Sequence, residues 1–192
     1  MIKTWKKFVM RIIDYPVSPE LIDLCVQEIE AKKKHDCWGI SKWKWGATLM
    51  TSSMKSFCLS AKPCTDLYKR LRNETSPWLP FVPTAINYHV WLPGSGINWH
   101  NDADYVYGAT LHLKDWPPEH GGIFMWKENG TDVLHSIYPK KNTLVINEGE
   151  ERHAVSPIVV SEKDAGLRMS VQLFCTKEAA HQARRSGGGR TV

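Results

Sequence analysis

From residue 85 to about residue 176 the chain never runs far before glycine, proline or asparagine interrupts it. The runs between interruptions span 86–91, 97–104, 108–113, 123–126, 133–138, 143–147, 154–160 and 167–175. Pro93-Gly94-Ser95-Gly96 separates the first two, Gly121-Gly122 opens the fourth, and Pro139-Lys140-Lys141-Asn142 divides the fifth from the sixth. Regularly spaced short strands with turn residues between them predict a β-sandwich or barrel over 85–176.

The preceding segment, 1–84, reads as a helical support region. Residues 3–14 alternate loosely and end in Arg11-Ile12-Ile13-Asp14, a candidate strand. Ser18-Pro19-Glu20 then has the order of a helix start: a capping hydroxyl, proline at the first helical position, and an acid in the first turn. Leu21, Ile22, Cys25, Val26 and Ile29 form its apolar stripe, which fades into the charged run 30–36. A second helix is predicted over 64–72 with Thr65 as its cap, before Pro77, Pro80 and Pro83 break regular structure. Between the helices, residues 38–60 place Trp38, Trp43 and Trp45 among lysines and glycines. Such a stretch can stack bases or simply cover a core. Residues 177–192, with Ser186-Gly187-Gly188-Gly189-Arg190, read as a flexible basic tail. A chain of 192 residues is expected to form one compact domain from these parts.

The net charge of +5 is largely terminal: Lys3, Lys6, Lys7 and Arg11 at one end, Arg184, Arg185 and Arg190 at the other. This distribution suits a solvated surface better than a dedicated nucleic-acid groove. The five cysteines are odd in number and none has C-x-x-C spacing, so reduced thiols are expected. No apolar run at the start is long enough for a signal peptide, and none anywhere approaches the roughly 20 residues of a membrane span. A cytoplasmic location is the expectation, with the oligomeric state left open.

One strand carries chemistry. In Asn98-Trp99-His100-Asn101-Asp102 an imidazole and a carboxylate stand two residues apart. On a strand both would point to one face. With a distant second histidine they would make a two-histidine, one-carboxylate triad, which holds Fe(II) and leaves open positions. His153, in Arg152-His153-Ala154-Val155, is the candidate for that ligand. The alternative is a surface His-Asp pair and an unrelated buried histidine. On the last strand, Arg168 and Ser170 share a polar face opposite Leu167, Met169 and Val171. A guanidinium fork matches a carboxylate, and the hydroxyl adds a donor. By alternation alone this face is either the lining of a site or ordinary solvent-facing surface.

Five segments together are more specific: Trp91-Leu92-Pro93-Gly94, His100-Asn101-Asp102, Gly121-Gly122-Ile123-Phe124, His153-Ala154-Val155-Ser156-Pro157 and Arg168-Met169-Ser170. In this order they resemble the 2-oxoglutarate- and Fe(II)-dependent dioxygenases, particularly small prolyl-4-hydroxylase-like members. The resemblance implies a mainly β fold with N-terminal helices, a double-stranded β-helix or jelly roll (a cupin-like barrel). It implies iron on His100, Asp102 and His153, and 2-oxoglutarate and O₂ as cosubstrates. Arg168 and Ser170 would bind the distal carboxylate. Trp91 stands where relatives often have a cosubstrate-binding tyrosine, and His112 matches an inward position on the next strand. Lys163 sits where prolyl-4-hydroxylases place a cosubstrate lysine, but its surroundings read as a turn. The implied activity is hydroxylation of an amino-acid residue, prolyl foremost, in a protein or peptide. Oxidation of a nucleobase is an alternative within the superfamily, and a non-catalytic metal-binding jelly roll is another outside catalysis. Substrate choice is expected in the loops: Asp104, Tyr105 and Tyr107 after the iron motif, with Trp43 and Trp45 closing over the mouth.

Overall fold

The computed structural model describes residues 10–34, 39–40, 58–128, 131–161, 163 and 166–185. Two antiparallel sheets form it. The larger has seven strands: β1 (Arg11–Asp14), β2 (Gly39–Ile40), β3 (Cys58–Ala61), β4 (Ala85–Trp91), β6 (Tyr105–His112), β9 (Thr143–Glu148) and β11 (Arg168–Thr176), in the spatial order β1-β9-β6-β11-β4-β3-β2. The smaller has four: β5 (Ile97–His100), β7 (Phe124–Lys127), β8 (Leu134–Ile137) and β10 (His153–Val155), in the order β5-β10-β7-β8. This is the expected jelly-roll arrangement. The region ahead of residue 85 contributes more than helices, since β1 pairs with β9 and β3 with β4.

Strand alternation divides the large sheet into an apolar face and a site face. Tyr88, Val90, Leu111, Leu144, Met169, Val171 and Leu173 are all buried on one face. They pack against α1 (Pro19–Lys34) and α2 (Thr65–Thr75) through Leu21, Ile22, Cys25, Ile29, Leu67 and Leu71. Each fully buried Leu or Ile of this layer contributes roughly 1.5–3 kcal/mol of transfer free energy, so this interface anchors the sheet. The predicted start of α1 is confirmed: the backbone N–H groups of Leu21 and Ile22 donate to the Ser18 hydroxyl and carbonyl. Thr65 is not the cap of α2. The helix begins at Thr65, Cys64 occupies the cap position without a side-chain bond, and the helix continues to Thr75. Glu28 of α1 joins the layers by accepting from the Tyr88 hydroxyl at 2.7 Å and the Cys64 N–H at 2.8 Å.

Residues 177–185 are also not a flexible segment. They form α3 (Lys177–Arg185), whose Ala180 is buried in the same core. Among the described cysteines, Cys25, Cys64 and Cys175 are free thiols, as expected. Trp43, Trp45 and the glycine-rich end of the tail lie outside the described residues. Among the described residues no helix is long and apolar enough to cross a membrane.

Candidate metal and cosubstrate site

The other face of the large sheet looks toward the small one, and a cavity lies between them. Arg168, lining it from β11, is directly opposite Trp91 of β4. Ser170 lies between His89 of β4 and His112 of β6, and Gln172 between Asn87 and Thr110. The polar face of the last strand is therefore the inner one, with Arg168 only 2% exposed and Ser170 fully buried. The small sheet supplies Ile97, His100, Phe124, His153 and Val155 as the opposing wall.

His100 and His153 are register partners on β5 and β10. Their ring centroids are 4.3 Å apart. The pairing skips a residue: His153 and Val155, two apart, face His100 and Ile97, three apart. A bulge of this kind turns both Ile97 and His100 inward. Asp102 is not on the strand as predicted. β5 ends at His100, and Asp102 lies in the turn beyond it, closed by a 2.8 Å bond from the Tyr105 N–H to the Asp102 carbonyl. The turn still delivers the carboxylate: Oδ1 is 3.7 Å from His100 Nε2, and Oδ2 is 3.5 Å from His153 Nε2. All three ligand atoms lie within 4.8 Å of one another.

Both imidazoles are oriented in the same way. His100 Nδ1–H donates to the Asn98 carbonyl at 2.7 Å, and His153 Nδ1–H to the Glu151 carbonyl at 2.9 Å. A neutral ring that donates through Nδ1 presents the Nε2 lone pair, here toward the carboxylate. Burial pushes the His153 pKa below the ordinary imidazole range. Asp102 opposes that shift and His100 reinforces it. This donor set fits a divalent transition metal: two imidazole nitrogens, one carboxylate, and backbone carbonyls that fix both rings.

The inner end of the cavity fits a carboxylate. The Arg168 guanidinium stacks on Trp91, with Cζ 4.9 Å from the ring centroid. The Thr110 hydroxyl donates to Gln172 Oε1 at 2.9 Å, and Gln172 Nε2 donates to Ser170 Oγ at 3.4 Å. The Ser170 proton is then available to an acceptor. Among the described residues, His112 Nδ1, His112 Nε2 and Trp91 Nε1 are buried without a hydrogen-bond partner. An orphaned buried donor costs roughly 1–3 kcal/mol, which a polar ligand would recover. Burial, and secondarily the Arg168 charge, lower the His89 pKa to about 4 and the His112 pKa to about 3, so both rings are neutral near pH 7.

The loop candidates divide. Tyr107 is a core residue on the helix-packed face, 1% exposed, with its hydroxyl donating to the Phe81 carbonyl at 2.8 Å. It is not at the mouth, because β6 begins at Tyr105 and strand alternation turns Tyr107 away from Gly108 and Thr110 of the cavity. Tyr105 is brought to the inner side by an irregularity opposite Cys175 and Thr176, and packs on Phe174 at 4.7 Å. Phe174 lines the cavity, whereas Tyr105 and the exposed Asp104 lie outside it. Lys163 is likewise exposed and outside the cavity, in keeping with a turn residue. Sequence reasoning missed His89 and Asn147. Alternation with Trp91 along the same strand marks His89, whereas Asn147 reaches the site only by pairing with Gly108.

No family model and no curated protein matches this chain in sequence. Solved structures match it in fold. A Pseudomonas putida prolyl-4-hydroxylase aligns with TM-score 0.64 at 17% identity, over 88% of this chain and 92% of that one. A Trichoplax adhaerens prolyl hydroxylase, solved with a hypoxia-inducible-factor oxygen-degradation-domain peptide fragment, aligns at 0.63 and 13% identity, over 91% and 86%. The non-heme alpha-ketoglutarate-dependent carbocyclase SnoK from nogalamycin biosynthesis aligns at 0.62 and 12% identity, over 95% and 88%. The fold is that of the 2-oxoglutarate-Fe(II) oxygenases, prolyl-4-hydroxylase-like in its architecture. It is shared by enzymes whose reactions differ, so it defines a class of scaffold and not a substrate.

Proposed function

We propose that this chain is an Fe(II)- and 2-oxoglutarate-dependent dioxygenase that hydroxylates an amino-acid residue, prolyl foremost, in a protein or peptide. The observation that carries the reading is the convergence of His100 Nε2, Asp102 and His153 Nε2 within 4.8 Å, in a cavity that Arg168 also lines. His100, Asp102 and His153 would hold the iron. Arg168 would take the distal carboxylate of 2-oxoglutarate through two N–H donors, with Ser170 adding a third. Trp91 holds the guanidinium plane by stacking, while His112, the register partner of Ser170, is fully buried and not among the residues that line the cavity. Bound together, iron and 2-oxoglutarate supply the activation of O₂ for inserting an oxygen atom into a C–H bond, with succinate and CO₂ as coproducts. The protein supplies orientation and exclusion of water: Ile97, Phe124 and Val155 make an apolar wall beside the polar one.

The peptide substrate class is supported by the fold shared with prolyl hydroxylases, one of them solved with a peptide. The test is mass spectrometry of proline-containing peptides and single-stranded oligonucleotides after incubation with Fe(II), 2-oxoglutarate and the protein. Gain of one oxygen atom on a peptide residue, with matching succinate, is the expected result. Oxygen on a base instead would establish nucleobase oxidation. An absence of succinate with every substrate would mark a non-catalytic metal-binding jelly roll.

A further inference from the structure

The carboxylate of the triad lies in a turn, where strand geometry cannot fix it. Something else must hold Asp102, and three residues surround it. Asn147 of β9 is 3% exposed, and its Nδ2 donates to Asp102 Oδ2 at 3.4 Å. Gly108, the register partner of Asn147, leaves the space that the carboxylate occupies. A Cβ there would stand 2.8 Å from Asp102 Oδ2 and 3.2 Å from Asn147 Oδ1. Gly149 passes beneath the turn, where a Cβ would lie 1.9 Å from the Tyr105 carbonyl oxygen and 2.6 Å from that of Asp102. Its N–H donates to the Val106 carbonyl at 3.0 Å.

From this seat we infer that Asn147 is a positioning residue for the metal-binding carboxylate; the inference rests on the triad reading above. The reasoning is chemical as well as steric. Asp102 sits between two imidazoles whose Nδ1 atoms are both engaged by backbone carbonyls. The amide donates to Oδ2 from a side chain that is itself buried. It also fixes the rotation of the carboxylate, so that Oδ1 stays toward His100. An acid at position 147 would repel Asp102, and an aliphatic residue would leave it rotating. Gly108 and Gly149 are the vacant positions that let Asn147 and the turn approach.

Co²⁺ titration of the purified chain, followed by its visible absorption, tests this without turnover. Asn147→Leu, and Asn147→Ser should the first fail to fold, are expected to weaken Co²⁺ binding roughly 10–100-fold, the usual cost of losing a hydrogen bond to a metal ligand. The absorption spectrum should change with it. In an Asp102→Ala background, titrated with Ni²⁺ on the two histidines, the same substitution should have no further effect. In a His100→Ala background its effect should persist. Unchanged Co²⁺ affinity in the single variants, or an equal loss with and without Asp102, would overturn the inference. A parent chain that binds no Co²⁺ would instead overturn the metal-centre reading, and this inference with it.

Discussion

Gly122→Ala is expected to damage cosubstrate binding while sparing the metal. Gly122 has φ +67°, where an alanine costs about 1–2 kcal/mol. For a chain of this size that cost alone lowers Tm by roughly 2–8 °C. The larger consequence is local. The added Cβ would lie 2.9 Å from both Cδ and Nε of Arg168, and 3.3 Å from Ile158 Cγ1. Comfortable carbon contacts begin near 3.5 Å, so Arg168 must move by about half an ångström. It is 2% exposed and stacked on Trp91, so the movement tilts a fork that is otherwise held flat. Loss of one charged hydrogen bond from a bidentate pair is worth roughly 1.5–3 kcal/mol. That converts to roughly a 10–150-fold weaker affinity for 2-oxoglutarate. Calorimetric titration of 2-oxoglutarate into the Co²⁺-loaded protein reads this directly, and Co²⁺ titration of the metal-free protein should show no comparable change. A variant with lowered Tm but unchanged 2-oxoglutarate affinity would refute the reasoning, reducing Gly122 to a turn residue and removing Arg168 as the anchor.

Arg168→Lys should weaken 2-oxoglutarate binding by at least tenfold with metal affinity nearly intact, because an ammonium cannot reproduce the planar fork; an unchanged cosubstrate requirement in a succinate-release assay would point to another anchor. Stability should fall as pH drops from about 6.5 toward 4. His89 and His112 have lowered folded-state pKa values of about 4 and about 3, so in this window the unfolded chain binds protons that the folded chain does not. Each contributes roughly 1–2 kcal/mol of loss by pH 5, and above pH 7 their contribution is flat. Urea midpoints across this range should lose part of their slope in His112→Gln, and an unaltered slope would count against a buried neutral ring. Tyr107→Phe should cost about 1 kcal/mol of stability through the lost bond to Phe81, with no change in hydroxylation once a substrate is found. A selective loss of hydroxylation in that variant would return Tyr107 to the substrate site.

Much of this molecule was legible in the sequence where the signal is local. Ser18-Pro19 marks a helix start because capping and proline geometry act within a few residues. The eight short runs after residue 85 mark strands because turn residues act locally too. The alternation Arg168, Ser170, Gln172 against Met169, Val171, Leu173 divides the last strand into two faces, and the order of His100, Asp102, His153 and Arg168 nominates a site. What alternation cannot say is which face is inside. That was decided when β11 paired with β4 on one side and β6 on the other, placing the helices against one face and the small sheet against the other. Irregular pairing decided more: the bulge opposite β10 turns His100 inward, and the one near Tyr105 separates it from Tyr107, which strand periodicity alone would have kept together. Asp102 lies off the strand, and Asn147 reaches it from a strand 45 residues away. A sequence records neighbours along the chain, while register, bulges and the carboxylate's seat depend on contacts between distant segments, and those exist only once the sheets have closed.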